Sequence, residues 1–186
     1  MINNKKNKEL NIELPVIVQL NPLKYINKSP TNKSPTNKSP TNKSPTNNMP
    51  PNTNIEYTLY FDGCSKGNPG SAGIGAVIFK LGEEEWCGCQ YIGKKTNNQS
   101  EYSALIFGLK EVLSRDITQL QVYGDSLLVI NQVKGVYKVN NKLLQELYQE
   151  AMGLISKFEY IEFTHVYRKF NKRADQLSNM ALDVIE

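Results

Sequence analysis

The chain has 186 residues and a formal net charge of +4. Residues 1–54 carry eight lysines against two glutamates, a net +6, whereas residues 55–186 hold 14 Lys/Arg against 16 Asp/Glu, a net −2. This length suits one domain with an appendage, and no apolar run approaches the roughly 18–20 residues of a membrane-spanning helix, so no membrane association is expected.

Three cysteines, Cys64, Cys87 and Cys89, give no disulfide framework and point to a reducing intracellular compartment, cytoplasm or nucleus. Cys87 and Cys89 fall on one strand face. Without a second pair, small buried residues are favoured over a zinc site. Leu10 to Ile26 is interrupted by Glu13, Pro15 and Pro22 and lacks a small-residue cleavage site, so no secretory leader is expected.

In the tail, Leu14 to Leu20 is the one short apolar patch. It admits a strand docked on the domain, a partner-binding peptide, or no order, and the last two are favoured. Residues 27–46 repeat Asn-Lys-Ser-Pro-Thr four times. A proline every fifth residue among polar side chains cannot bury enough apolar surface to offset chain entropy, so residues 1–54 read as a disordered basic tail. A spacer role is favoured over an electrostatic tether for nucleic acid or a set of Ser-Pro phosphorylation sites.

From residue 55 the pattern changes. Aromatic and β-branched residues predict a strand over Tyr57–Gly63 that ends on Asp62, then a Gly/Asn/Pro-rich turn over Cys64–Gly70. Further strands are predicted over Gly73–Lys80 and Glu84–Ile92, making an antiparallel meander. A helix follows Thr96, with Tyr102, Leu105, Ile106, Leu109, Val112 and Leu113 on one face, and Asn98 with Glu101 fits a capping box. Leu120–Gly124 is a strand ending on Asp125, and Ser126–Val133 a buried helix stopped by Gly135. An amphipathic helix carries Leu143, Leu144, Leu147, Ala151, Leu154 and Ile155. Tyr160–Val166 is the last strand, and Asn171 opens a final helix with Ala174, Leu177, Ala181 and Ile185 inward. The order βββ-α-β-α-α-β-α predicts an α/β fold. It has a five-stranded mixed sheet, strands 1–3 antiparallel and strands 4 and 5 parallel, flanked by helices.

Four acids occupy comparable positions: Asp62 at a strand end, Glu101 in a first helical turn, Asp125 at a strand-to-helix junction and Asp175 in the first turn of the last helix. Each has a local explanation: capping for Glu101 and Asp125, helix-dipole complementation for Asp175. Gathered at one spot, four carboxylates would raise one another's pKa unless cations were bound, and two divalent cations balance four charges. Mg2+ suits such a site, with Mn2+ as a substitute, and a two-cation cluster fits in-line phosphoryl displacement.

Phe61-Asp62-Gly63 with Gly67-Asn68-Pro69-Gly70, Thr96-Asn97-Asn98-Gln99 with Glu101-Tyr102, Gly124-Asp125-Ser126, and His165 ten residues before Asp175 together resemble ribonuclease H of type 1. The resemblance covers residues 55–186. It implies the ribonuclease H fold and endonucleolytic hydrolysis of the RNA strand of RNA–DNA hybrids, leaving 5′-phosphate and 3′-hydroxyl ends. It also implies that Asp62, Glu101, Asp125 and Asp175 are the metal-binding catalytic acids and His165 a mobile catalytic histidine. Gly63, Asn68, Thr96, Asn97 and Asn98 then lie near the nucleic acid, and Arg168 and Lys169 in the intervening loop read equally as phosphate contacts or as solvated loop charges.

Only Tyr137–Asn141 separates the helix before Gly135 from the next, so the basic protrusion of many relatives is absent. The basic tail is a candidate substitute, and the reading is of a monomer. A non-catalytic nucleic-acid-binding module and a related nuclease on the same fold, including one from a reverse-transcribing element, are the alternatives. The Asn/Lys-rich tail suits an AT-rich genome, that of a protist or a large DNA virus.

Overall fold

The computed structural model describes residues 55–183 and the backbone of Val18–Gln19. The expected disorder of residues 27–46, the readings of the rest of the tail and the inward placement of Ile185 lie outside the described residues.

The strands are β1 (Val18–Gln19), β2 (Tyr57–Gly67), β3 (Gly70–Lys80), β4 (Glu83–Lys95), β5 (Gln119–Gly124) and β6 (Tyr160–His165). Among the described residues the helices are α1 (Asn97–Ser114), α2 (Leu127–Val133), α3 (Lys142–Ile155) and α4 (Lys172–Asp183), with a 3-10 turn at Arg168–Phe170. The strands form one sheet in the order β1-β4-β3-β2-β5-β6. β2, β3 and β4 are an antiparallel meander, while β2, β5 and β6 run parallel. The predicted five-stranded mixed sheet is therefore present, and β1 adds a sixth strand.

Val18 pairs with Cys89 and Gln19 with Gly88, covering part of an edge that would otherwise expose unpaired backbone groups. For these two residues the docked strand replaces the favoured readings of the Leu14–Leu20 patch.

Three expected boundaries shift. β2 does not end at Asp62. Its ladder with β3 continues through Gly63–Ile74, Cys64–Gly73 and onward to Gly67–Gly70, so the turn is confined to Asn68 and Pro69. Asp62 still marks an end of another kind. The parallel neighbour β5 stops at Gly124, opposite Phe61, and Asp62 is the first residue of β2 beyond it. The α1 cap is Thr96, whose side chain accepts from the Gln99 amide while Gln99 reaches back to Thr96, so the capping box is Thr96–Gln99 and not Asn98–Glu101. Glu101 is thereby the fifth residue of α1, in its second turn. At α2 the cap is Ser126 rather than Asp125.

The helices bury both faces of the sheet. On one side, Leu59, Phe61, Ile74 and Val122 pack with Tyr102, Leu105 and Leu109 of α1 and with Ile130, Leu144 and Ala151 of α2 and α3. On the other, Val77, Cys87 and Cys89 pack with Leu177 and Ala181 of α4, and none of the three cysteines is in a disulfide. The two buried cysteines fill this small apolar layer, as small residues suit close helix-on-sheet packing.

Tyr102 also carries a polar link across the larger core. Its hydroxyl donates to Gln132 Oε1 at 2.8 Å, and Gln132 Nε2 donates to the Lys138 carbonyl at 3.2 Å, closing α1 onto the end of α2. Tyr102→Phe strands the Gln132 carbonyl in the core. It is expected to cost about 1–3 kcal/mol in urea unfolding.

Candidate active site

The parallel register aligns Phe61, Gly124 and His165 in one row across β2, β5 and β6. Asp62 and Asp125 follow that row directly, Asp125 just past the carboxyl end of β5 and Asp62 within β2 where its parallel pairing with β5 has stopped. The carboxyl end of a parallel strand is where α/β sheets open the crevice used for ligands. α1 brings Glu101 to the same place by packing tightly on β2. A Cβ on Gly63 would stand 2.2 Å from the Ser100 carbonyl carbon and 2.3 Å from the Glu101 amide nitrogen, so only glycine permits this approach.

One oxygen from each of Asp62, Glu101 and Asp125 lies within 4.8 Å of the others. Asp62 and Glu101 are buried, with 5% and 6% of their surface exposed. Burial raises the Asp62 carboxyl to about 7, with the charges of Asp125 and Asp175 adding to the rise and a hydrogen bond from Ser178 opposing it. Glu101 is pushed well above the ordinary carboxylate range, first by burial and then by the charges of Asp62 and Asp125. Glu101 Oε2 is buried without a hydrogen-bond partner.

Asp175 departs from the expected convergence. It lies outside the 4.8 Å group, although its charge still acts on Asp62. Its Oδ1 is paired with Arg168 Nη2, so the guanidinium expected to meet phosphate instead neutralises the fourth acid. Arg168 remains largely exposed.

His165 is half-buried, with Nε2 3.2 Å from the Asp125 carbonyl oxygen. The substrate-side residues form a separate rim. Asn68 Oδ1 accepts from the Asn97 amide at 3.1 Å, joining the β2–β3 turn to the start of α1, and Asn68, Asn97 and Asn98 are exposed. Thr96 is occupied in capping α1.

Two residues at the site were not singled out by the sequence. Asn171, 1% exposed, donates from Nδ2 to the Phe61 carbonyl at 2.9 Å and to Asp125 Oδ1 at 3.1 Å. Ser178, fully buried in α4, donates from Oγ to Asp62 Oδ2. In the sequence Asn171 signals only a helix start. Ser178 is a polar residue beside the apolar position Leu177, with no motif to mark it.

The raised Asp62 pKa has a measurable consequence. A carboxyl at about 7 in the folded protein, against an ordinary value of 3.8 in the unfolded chain, favours folding below pH 3.8 and loses that contribution as pH rises through 7. In EDTA, Asp62→Asn is therefore expected to be more stable than the parent at pH 8, by about 4 kcal/mol, and to lose that advantage near pH 4. Urea unfolding at the two pH values reads the difference.

Known proteins match this arrangement. The chain matches the family described as Reverse transcriptase-like over residues 60–181. Ribonuclease HI of Halobacterium salinarum is 41% identical over 125 residues, covering 67% of this chain and 63% of that protein. Ribonuclease H of Desulforamulus reducens is 31% identical over 157 residues, covering 72% of this chain and 96% of that protein. Against mycobacterial relatives, 41% identical over 128 residues, the match spans 34% of their length. Among solved structures, the H. salinarum RNase H1 superposes with a TM-score of 0.67 at 40% identity, covering 69% of this chain and 98% of that one. LC11-RNase H1 in complex with RNA/DNA hybrid superposes at 0.66 and 36% identity, covering 69% and 98%. With three carboxylates gathered beside the end of β5, and the Desulforamulus reducens ribonuclease H matched over 96% of its length, the chain belongs to the ribonuclease H family.

Proposed function

We propose that this chain hydrolyses the RNA strand of RNA–DNA hybrids endonucleolytically, leaving 5′-phosphate and 3′-hydroxyl ends, with two divalent cations held by Asp62, Glu101, Asp125 and Asp175. The observation that carries the reading is the group of three carboxylates within 4.8 Å, with Asp62 and Glu101 buried and Asp125 half-buried. Such a group is unfavourable by itself, as the raised Asp62 and Glu101 show, and a cation reverses the penalty.

The donor set fits. All the ligand atoms are carboxylate oxygens, the class preferred by Mg2+ and Mn2+, and Glu101 Oε2 is buried with no other partner. When bound, the cations supply an activated water and charge stabilisation at the leaving oxygen.

The chain's own groups do the remaining work. Asn171 holds Asp125 through Oδ1 and so fixes the orientation of that carboxylate. The contact of His165 with the Asp125 carbonyl, next to the acidic group, supports a role in taking or giving a proton during hydrolysis. Asn68, Asn97 and Asn98 offer exposed amides for 2′-hydroxyls and base edges of the hybrid, and Gly63 lets the backbone approach a sugar. Thr96 orients this rim by capping α1. Arg168 is a cation that an arriving phosphate can draw away from Asp175. In this reading the tail, with its net +6, adds sequence-independent attraction to the hybrid, and the protein works as a monomer in a reducing compartment.

The test uses a hybrid labelled on either strand beside single-stranded RNA, duplex RNA and duplex DNA, all in Mg2+. The expected result is cutting of the hybrid's RNA strand alone, with products that a 3′-end ligation accepts. Binding of hybrid without cutting, in Mg2+ and in Mn2+, would move a binding-module reading to the front.

A further inference from the structure

Asp62 and Gly75 are cross-strand partners on β2 and β3. A Cβ on Gly75 would stand 2.5 Å from the Ser178 amide nitrogen and 2.7 Å from the Ala174 carbonyl oxygen, so the glycine opposite Asp62 is what lets α4 settle onto the sheet. The close approach buries Ser178 completely and brings its Oγ onto Asp62 Oδ2. The Ser178 carbonyl in turn accepts from Cys64 Sγ at 3.1 Å, two residues along β2. Ser178 Oγ also lies 3.0 Å from the Asp175 carbonyl one helical turn back. Of the two acceptors, the ionised carboxylate is the stronger.

We propose that Ser178 is a positioning residue that fixes the Asp62 carboxylate for cation binding by engaging its Oδ2. The inference rests on the cation-site reading above. Its physical logic is that of outer partners at metal sites: a ligand already hydrogen-bonded in its bound orientation loses no rotamer freedom when the cation arrives. A free carboxylate would have to be ordered at that moment. The device depends on sequence in two places, Gly75 for the depth of α4 and Ser178 for the donor.

The test is Mn2+ titrated into nucleic-acid-free full-length protein and followed by water-proton relaxation, for the parent, Ser178→Ala and Cys64→Ala. Cys64→Ala removes the other side-chain contact at the same junction while sparing the Ser178 hydroxyl. Ser178→Ala is expected to weaken Mn2+ binding about tenfold, within the range for lost outer-sphere partners, with Cys64→Ala at the parent's affinity. The unfolding midpoint of Ser178→Ala in EDTA is expected to stay within a few degrees of the parent's, separating lost orientation from lost packing. Mn2+ binding by Ser178→Ala within twofold of the parent overturns the inference and leaves the cation site standing. An equal loss in Cys64→Ala overturns it as well, because junction packing would then explain both. No Mn2+ binding by the parent removes the cation-site reading itself and the inference with it.

Discussion

Glu101→Gln is expected to yield a protein that is more stable than the parent in EDTA at pH 8 and at least about a thousandfold slower at cutting hybrid. Both effects follow from one buried group. The Glu101 carboxyl is raised well above its ordinary value by burial and by Asp62 and Asp125. A raised folded-state pKa favours folding at low pH and loses that contribution as pH rises, so at pH 8 the carboxyl opposes folding whether it stays charged or takes up a proton. Glutamine keeps the shape and removes the charge, and the gain is expected to be about 1–3 kcal/mol, the scale of an unpaired buried polar group. The same change deletes a carboxylate from the cluster, and losing several kcal/mol of cation-borne stabilisation gives the rate effect. Urea unfolding in EDTA and single-turnover cleavage in Mg2+ read the two sides. A variant that is both less stable and fully active would contradict both roles assigned to Glu101 at once.

Gly63→Ala is expected to damage fold and site together. The new methyl would meet Ser100 and Glu101 backbone atoms at 2.2–2.4 Å, and backbone inside a helix cannot swing aside as a side chain does. Either α1 shifts outward or β2 bends, and Glu101 moves in both cases. The expected cost is about 3 kcal/mol or more, a fall in the unfolding midpoint of roughly 10 °C. Hybrid cleavage is expected to fall by at least about a hundredfold even at temperatures where the variant is folded, since a displacement of about 1 Å at a reacting centre costs that much. Calorimetry and cleavage at 20 °C separate the two contributions.

The sequence was informative where a local pattern fixes the answer. Aromatic and β-branched runs marked the strands from β2 to β6 and helical spacing marked α1 to α4, while the 3-10 turn at Arg168–Phe170 read only as a loop. The acids were legible through the motifs around them. The limits lie where a tertiary contact decides. The extension of β2 past Asp62 needs the β3 partner, because Cys64–Gly67 alone reads as a turn. Thr96 and Asn98 are both competent caps, and the choice between them is set where the chain leaves β4. Nothing in the spacing of acids distinguishes Asp175, tied to Arg168, from the three that meet. Asn171 and Ser178 act through residues 46 and 116 positions away, a distance at which no periodicity carries information.

That the gathered carboxylates form a cation site that cuts hybrid is tested most directly by one measurement. The rate of RNA-strand cleavage is followed in single turnover against Mg2+ concentration for the parent and Asp125→Asn, with an EDTA control. Expected are saturable Mg2+ activation of the parent, no cleavage in EDTA, and a rate for Asp125→Asn at least about a thousandfold lower at every Mg2+ concentration. Cleavage that persists in EDTA, or an Asp125→Asn variant as fast as the parent, would contradict it.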